Sequence, residues 1–173
     1  MEQRFDLAMI QKKICLLGSF AVGKTSLAKR FVHGIYTDKY HTTIGVNIRK
    51  KIMQTNDCTV NLVIWDLAGE DEFEKVRLTY LRGASGYLLV ADGTRRETLN
   101  KAITLKSGTE AVIGEKPFIL LLNKVDLDDN WEIDPSLIND FVQKNWLVMA
   151  TSAKTGQGVE EAFQMLTRKM AEG

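Results

Sequence analysis

Short, nearly continuous apolar runs alternate along this chain with longer stretches whose apolar residues recur every three or four positions. Lys13 to Leu17 (Lys-Ile-Cys-Leu-Leu) reads as a strand that ends at Gly18, and Gly23 to His33 follows with Leu27, Phe31 and Val32 at helical spacing. A polar connector, Gly34 to Gly45, leads to two further strands, Val46 to Met53 and Val60 to Leu67. The short turn between them, around Thr55-Asn56-Asp57, predicts an antiparallel hairpin. Gly86 to Ala91, Phe118 to Leu122 and Leu147 to Ala150 complete the strands. Their unbroken apolar character fits parallel strands covered on both faces. Helices are expected over Phe73 to Arg82, Arg95 to Val112, Pro135 to Lys144 and Val159 to Met170. Asp134 is the expected N-cap of the third, followed by proline at its first position. The alternation predicts a doubly wound α/β sheet with one antiparallel edge strand.

The first strand and helix enclose Gly18-Ser19-Phe20-Ala21-Val22-Gly23-Lys24-Thr25, with Ser26 next, a match to GxxxxGK[ST] at every fixed position. In that context successive backbone N–H groups and the helix N-terminus face a phosphate chain. Lys24 is placed to reach the β- and γ-phosphates and the Thr25 hydroxyl to ligate Mg²⁺. This motif alone does not separate ATP from GTP. The base is addressed by Asn123-Lys124-Val125-Asp126 and by Ser152-Ala153-Lys154, each following a predicted parallel strand. Guanine offers two adjacent donors, N1–H and the 2-amino group, which one carboxylate accepts together and which adenine lacks. Asp126 is the candidate acceptor. Lys124 can lay its aliphatic stem over the base, and the Ala153 N–H can donate to guanine O6. At the end of the third strand, within Trp65-Asp66-Leu67-Ala68-Gly69-Glu70, Asp66 is placed to hold a magnesium-bound water. The Gly69 N–H is placed to touch the γ-phosphate. Upstream, in Thr42-Thr43-Ile44-Gly45, Thr43 is a second candidate magnesium ligand.

Taken in chain order (the phosphate loop, Thr42-Thr43-Ile44-Gly45, Trp65 to Glu70, Asn123 to Asp126 and Ser152-Ala153-Lys154), these five segments resemble the Ras superfamily, nearest to its Rab branch, over about Lys12 to Met170. Tyr80-Leu81-Arg82-Gly83-Ala84 is similar to the Rab stretch after the second switch. The resemblance implies a P-loop NTPase fold, or G domain: a six-stranded, mostly parallel sheet, one antiparallel edge strand and about five helices. It would fill residues 1–173 as one domain with 1–11 as a short extension. It implies two switch segments, roughly Ile35 to Gly45 and Ala68 to Arg82, and a Tyr36 ring packed edge-on against the guanine. It also implies a GTPase acting as a GTP/GDP switch, with GTP or GDP and Mg²⁺ as ligands. An effector or regulator would read the switch surface, where Ile44, Val46, Trp65 and Phe73 offer an apolar patch. Two departures bear on catalysis, for which Lys24, Thr43, Gly69 and Glu70 are the candidates. Glu70 stands where the family has the glutamine that orients the attacking water. Phe20 stands at a loop position that is usually glycine or another small residue. Both predict slow hydrolysis. They also leave open a hydrolysis-deficient scaffold, and the Roc-type GTPase domain of a larger protein remains a further alternative.

Composition narrows the setting. With 45% hydrophobic and 26% charged residues, 173 residues make one well-filled globular domain. The near balance of 23 Lys+Arg against 22 Asp+Glu lacks the basic excess of a nucleic-acid binder. No apolar run approaches the roughly 18–20 residues of a membrane span. Met1 to Gln11 is no signal peptide, and Arg168 to Gly173 holds no cysteine for prenylation, so no direct membrane anchor is expected in this chain. Cys15 and Cys58 form no CxxC pair, which suits reduced thiols in the cytoplasm. His33 and His41 read as surface residues, Arg95-Arg96 as the exposed start of a helix, and Trp131 and Trp146 as packing around the helix from Pro135.

Asp126→Asn should shift preference from guanosine toward xanthosine nucleotides, since an amide can donate to a 2-oxo group. The lost charge-assisted pair should cost GTP binding about 2–4 kcal/mol. Unchanged GTP affinity in this variant, titrated with a fluorescent nucleotide, would remove Asp126 from base recognition.

Overall fold

The computed structural model describes residues 8–39, 45–67 and 79–173. Among them lie six strands, β1 (Met9–Gly18), β2 (Val46–Gln54), β3 (Thr59–Leu67), β4 (Gly86–Asp92), β5 (Phe118–Asn123) and β6 (Val148–Thr151). Four helices accompany them: α1 (Lys24–His33), α2 (Arg96–Ile113), α3 (Pro135–Gln143) and α4 (Val159–Glu172), with a 3-10 turn over Val125–Asn130. The strands form one sheet in the order β2-β3-β1-β4-β5-β6. Only β2 runs antiparallel, against β3, with Val46 opposite Leu67 and Gln54 opposite Thr59. The fold is the expected mixed α/β sheet of a Ras-like G domain. The expected helix from Phe73 to Arg82 falls mostly outside the described residues; Thr79 to Leu81 are helical.

The alternation along β1 builds both halves of the core. Ile14 and Leu16 face one side, where α1 and α4 pack through Leu27, Phe31, Phe163 and Leu166. Cys15 and Leu17 face the other, under α2 and α3, against Leu99, Leu105 and Phe141. In β4 all seven residues are buried, as expected of a strand covered on both faces. Trp131 and Trp146 pack against the second half of the core. Asp134 caps α3 by accepting from the Ser136 N–H, with Pro135 at the first helical position.

Most boundaries fall within one or two residues of the sequence reading, and one differs by four. β1 begins at Met9 rather than Lys13, so Met9, Ile10 and Gln11 pair with Thr59, Val60 and Asn61. The apolar run failed to reveal this because the first half of β1 lies only half-buried or exposed. Backbone pairing to β3, rather than side-chain burial, holds it there.

Parallel pairing sends β1, β3, β4, β5 and β6 in one direction, so their C-terminal ends share one edge of the sheet. The chain leaves β1 for β2 and β3 on one side, then returns to β4 on the other. This reversal beside β1 is where α/β sheets place ligands.

Phe163 on α4 is fully buried and stacks on Phe31 of α1 with ring centroids 4.0 Å apart. Phe163→Ala should lower the unfolding free energy by about 3–5 kcal/mol in urea denaturation, and a loss under about 1 kcal/mol would contradict this account of the core.

Candidate functional site

The loop from Gly18 to Gly23 has each of its carbonyls engaged. Lys24 Nζ donates to Gly18 O at 2.9 Å and Ser19 O at 3.0 Å. Arg95 Nη2 donates to Phe20 O at 2.9 Å, Lys124 Nζ to Ala21 O at 3.0 Å and Asn123 Nδ2 to Val22 O at 2.9 Å. Gly23 O accepts from the Leu27 N–H at 2.9 Å, the first bond of α1. In a trans peptide the following N–H points away from its carbonyl. Fixing the carbonyls one by one therefore sets the direction of the N–H groups, the condition for an anion-binding concavity.

Two backbone details serve the same shape. Ala21 and Lys124 both have left-handed backbones, with φ of 60° and 69°. For a residue with a Cβ this costs about 1–2 kcal/mol, and here the pair is locked by the Lys124–Ala21 hydrogen bond. Gly23, at φ 103°, lies against Asn123, and a Cβ there would fall 2.3 Å from Asn123 Nδ2. Only glycine admits both the conformation and the close approach.

Asn123 also accepts from Thr151 Oγ1 at 3.1 Å, which ties the end of β5 to the end of β6. Beyond it, Asp126 Oδ1 accepts from Ser152 Oγ at 2.7 Å. The buried Ala153 and the exposed Lys154 have their carbonyls held by Arg30 of α1: its Nε donates to Ala153 O at 2.8 Å and its Nη2 to Lys154 O. The two base-reading segments of the sequence thus meet, joined to the phosphate loop. Asp126 is half-buried, whereas Asp128 and Asp129 just after it are exposed.

Beside the loop, Thr25 Oγ1 donates to Asp66 Oδ2 at 2.6 Å. Asp66 is fully buried, and its Oδ1 has no hydrogen-bond partner among the described residues. Burial pushes the Asp66 carboxyl above its ordinary range, opposed by the Thr25 hydrogen bond and by Lys24, Arg49 and Lys29. A hydroxyl beside a buried carboxylate with an unused oxygen suits Mg²⁺. That ion takes one or two protein oxygens and completes its octahedron with phosphates and water. Among the described residues there is no group of three or more His, Cys, Asp or Glu that could form a protein-only metal cage.

A cleft of about 160 Å³ opens between the phosphate loop and residues 35–39, lined on one side by Phe20, Lys24, Thr25 and Ser26 and on the other by Ile35 and Tyr36. Desolvation raises the Tyr36 hydroxyl pKa, and the Asp38 and Asp126 carboxylates raise it further. Tyr36 therefore lies within electrostatic range of Asp126. Phe20 is 48% exposed at the mouth of the cleft. Thr43, Gly69 and Glu70 lie outside the described residues, as do His41, Ile44 and Phe73. His33 is exposed, and Cys15 and Cys58 are free, buried thiols.

The sequence reading missed a brace behind the loop. Asp92, at the end of β4, accepts from the Thr94 N–H and hydroxyl, and its Oδ2 meets Arg95 Nε at 3.1 Å and Lys124 Nζ at 2.9 Å. Arg95, read as an exposed helix start, instead reaches back to the loop. A carboxylate closing the apolar run of β4 was the available signal for Asp92; of its partners the sequence marked only Lys124, and for a different role. Of the expected apolar face, Val46 and Trp65 lie among the described residues. Ile48, 49% exposed, lies opposite Trp65, whose ring is 5.9 Å from Tyr80 and carries Lys13 Nζ 3.7 Å from its centre. Ile48 and Tyr80 join Val46 and Trp65 there.

The fold and this loop define a P-loop nucleotide-binding G domain. The Ras family model matches residues 13–172. The chain is 38% identical to mouse Ras-related protein Rab-4A over 161 residues, covering 91% of this chain and 73% of that protein. It is 36% identical to Dictyostelium discoideum Ras-related protein Rab-4 over 158 residues, 90% of this chain and 77% of that protein. Human Ras-related protein Rab-4B is also 36% identical over 158 residues, 90% of this chain and 74% of that protein. The chain belongs to the Ras family, on its Rab-like branch, and is a small GTP-binding switch protein and GTPase that converts GTP to GDP.

Burial alone would raise the Asp92 carboxyl, but hydrogen bonds from Lys124, Thr94 and Arg95 outweigh it and hold the group below its ordinary range. A depressed folded pKa stabilises above the unfolded value and fades as pH falls toward the folded one. Asp92→Asn should therefore be less stable than wild type at pH 7, with a gap that narrows as pH drops below about 4. A gap that widens with acid, followed by urea denaturation at stepped pH, would contradict the brace.

Proposed function

We propose that residues 1–173 act as one G domain, a GTP/GDP switch with slow, Mg²⁺-dependent hydrolysis that a partner reads through two segments, roughly 35–45 and 68–82. The observation that carries this reading is the fully engaged set of loop carbonyls next to the Thr25–Asp66 pair. It prepares one anion site and one metal site side by side.

In this reading the loop N–H groups from Gly18 to Ser26 cradle the phosphates, and Lys24 exchanges carbonyl contacts for phosphate oxygens. Thr25 and Thr43 would hold Mg²⁺, with Asp66 placed to hold it through a water. The ion would neutralise charge between the β- and γ-phosphates. Asp126 reads N1–H and the 2-amino group, the Ala153 N–H meets O6, and Lys124 and Tyr36 flank the base, with Asn123, Ser152 and Lys154 holding these loops. Thr43 and Gly69 sense the γ-phosphate, so hydrolysis releases both segments. The partner docks on the face formed by Val46, Ile48, Trp65 and Tyr80. No helix among the described residues is long and apolar enough to cross a membrane, and the protein works in the cytoplasm.

Phe20 favours a second reading, in which nucleotide is held without turnover. Its exposed ring stands at the cleft mouth, where it would crowd Glu70 and any inserted arginine. Extracting the bound nucleotide and following single-turnover GTP hydrolysis with Mg²⁺ separates the two readings. Guanine nucleotide with slow release of phosphate supports the switch; guanine nucleotide with none supports the scaffold.

Glu70 makes the rate question specific. Phosphoryl transfer to water depends on positioning. Glutamine both accepts from the water and donates to the transferring group, whereas ionised glutamate only accepts and repels the γ-phosphate. Glu70→Gln should hydrolyse faster than wild type in single turnover, with Glu70→Ala close to wild type. If both variants fall at least about tenfold, roughly 1.4 kcal/mol of barrier, Glu70 is itself catalytic and the slow-switch reading is wrong.

A further inference from the structure

Arg49 is on the edge strand β2, opposite Ile64, where an arginine ordinarily extends its head into water. Its neighbour two positions on, Lys51, occupies the same face and lies over the Phe31 ring and on the Phe31 carbonyl. Arg49 turns inward instead. Its side chain is 16% exposed, and Nη1 is buried without a hydrogen-bond partner among the described residues. That nitrogen stands 3.7 Å from Asp66 Oδ2, too far for a hydrogen bond yet within ion-pair range. Asp66 Oδ2 already accepts from Thr25, and Oδ1 is the unpartnered oxygen of the same carboxylate. A buried cation and a buried anion thus face each other with unused hydrogen-bonding capacity on each.

Such an arrangement is costly without a strong mutual attraction or a third group between them. We infer that Arg49 is a resident counter-ion of the magnesium site. It shares Asp66 with the metal, weakens Mg²⁺ binding by like-charge repulsion, and supplies part of the metal's electrostatic role when the metal leaves. Nucleotide retention in this protein therefore depends less on Mg²⁺ than Thr25 and Asp66 alone would make it. The inference rests on the proposed placement of Mg²⁺ at these two residues and deepens it.

The test uses the full chain loaded with a fluorescent GDP analogue. The dissociation rate is followed as free Mg²⁺ is titrated and then removed with EDTA, at fixed ionic strength. Arg49→Gln removes the charge and leaves a shorter, polar side chain. Its Mg²⁺ midpoint should fall at least about fivefold below wild type, and EDTA should accelerate its GDP release by a larger factor than in wild type. Arg49→Lys retains a cation and should remain near wild type on both readouts. A loss of packing alone would move neither the midpoint nor its rescue by lysine. If Arg49→Gln does not fold, Arg49→Met is its neutral replacement. Unchanged Mg²⁺ dependence in the neutral variant, or Arg49→Lys shifting as far as Arg49→Gln, overturns the inference while GDP is still retained. Absence of GDP retention, or of any Mg²⁺ effect in wild type, overturns the placement of the metal as well.

Discussion

The phosphate loop keeps its shape because its carbonyls are held from outside. Each has a donor, and the donors come from different places: Lys24 from α1, Asn123 and Lys124 from the end of β5, Arg95 from the start of α2. A glycine-rich turn has little side-chain packing to hold it and much backbone entropy to lose. The donors replace that packing. They also make the loop answer to the sheet, since the carboxamide that holds Val22 O is fixed in turn by Thr151 at the end of β6. The loop and the ends of β5 and β6 are therefore parts of one hydrogen-bonded frame. Asn123→Ala would free both at once.

Much of this frame was legible in the residues, for a physical reason. Gly18, Gly23, Lys24 and Thr25 stand at the fixed spacing of a phosphate-binding motif, and that spacing survives in one dimension. Asn123, Asp126 and Ser152 follow strands whose apolar runs are unmistakable. Residues that support them from the side carry no such mark. Arg95 is one of two adjacent arginines, and only the turn after β4, with Asp92 beneath it, decides that its head goes to Phe20 rather than to water. Arg49 sits in a strand that reads as alternating and solvent-facing, and its inward turn depends on the Asp66 carboxylate across the hairpin. Met9 to Gln11 belong to the sheet through backbone pairing with β3, which leaves no apolar pattern to read. Ile48 was overlooked because an exposed isoleucine on an edge strand is unremarkable until Trp65 is found opposite it.

The distribution of charge explains why the fold tolerates so many cations around one loop. Lys124 and Arg95 are balanced at Asp92, and Lys24, Lys29 and Arg49 act on Asp66. The two carboxylates respond in opposite directions. Asp92 receives hydrogen bonds enough to overcome its burial and stays readily ionised. Asp66 does not, and burial raises it. The difference follows from what each has to do. Asp92 is a finished structural joint, with Thr94, Arg95 and Lys124 all bound to it. Asp66 keeps one oxygen without a protein partner, and its surrounding charges stand back from it. A carboxylate left in that condition is poised for a further cation, and a divalent ion bridging to an anionic phosphate chain would satisfy Asp66, Lys24 and the loop N–H groups together. In the proposed placement the same ion would meet the Arg49 charge, which would limit how tightly it is held.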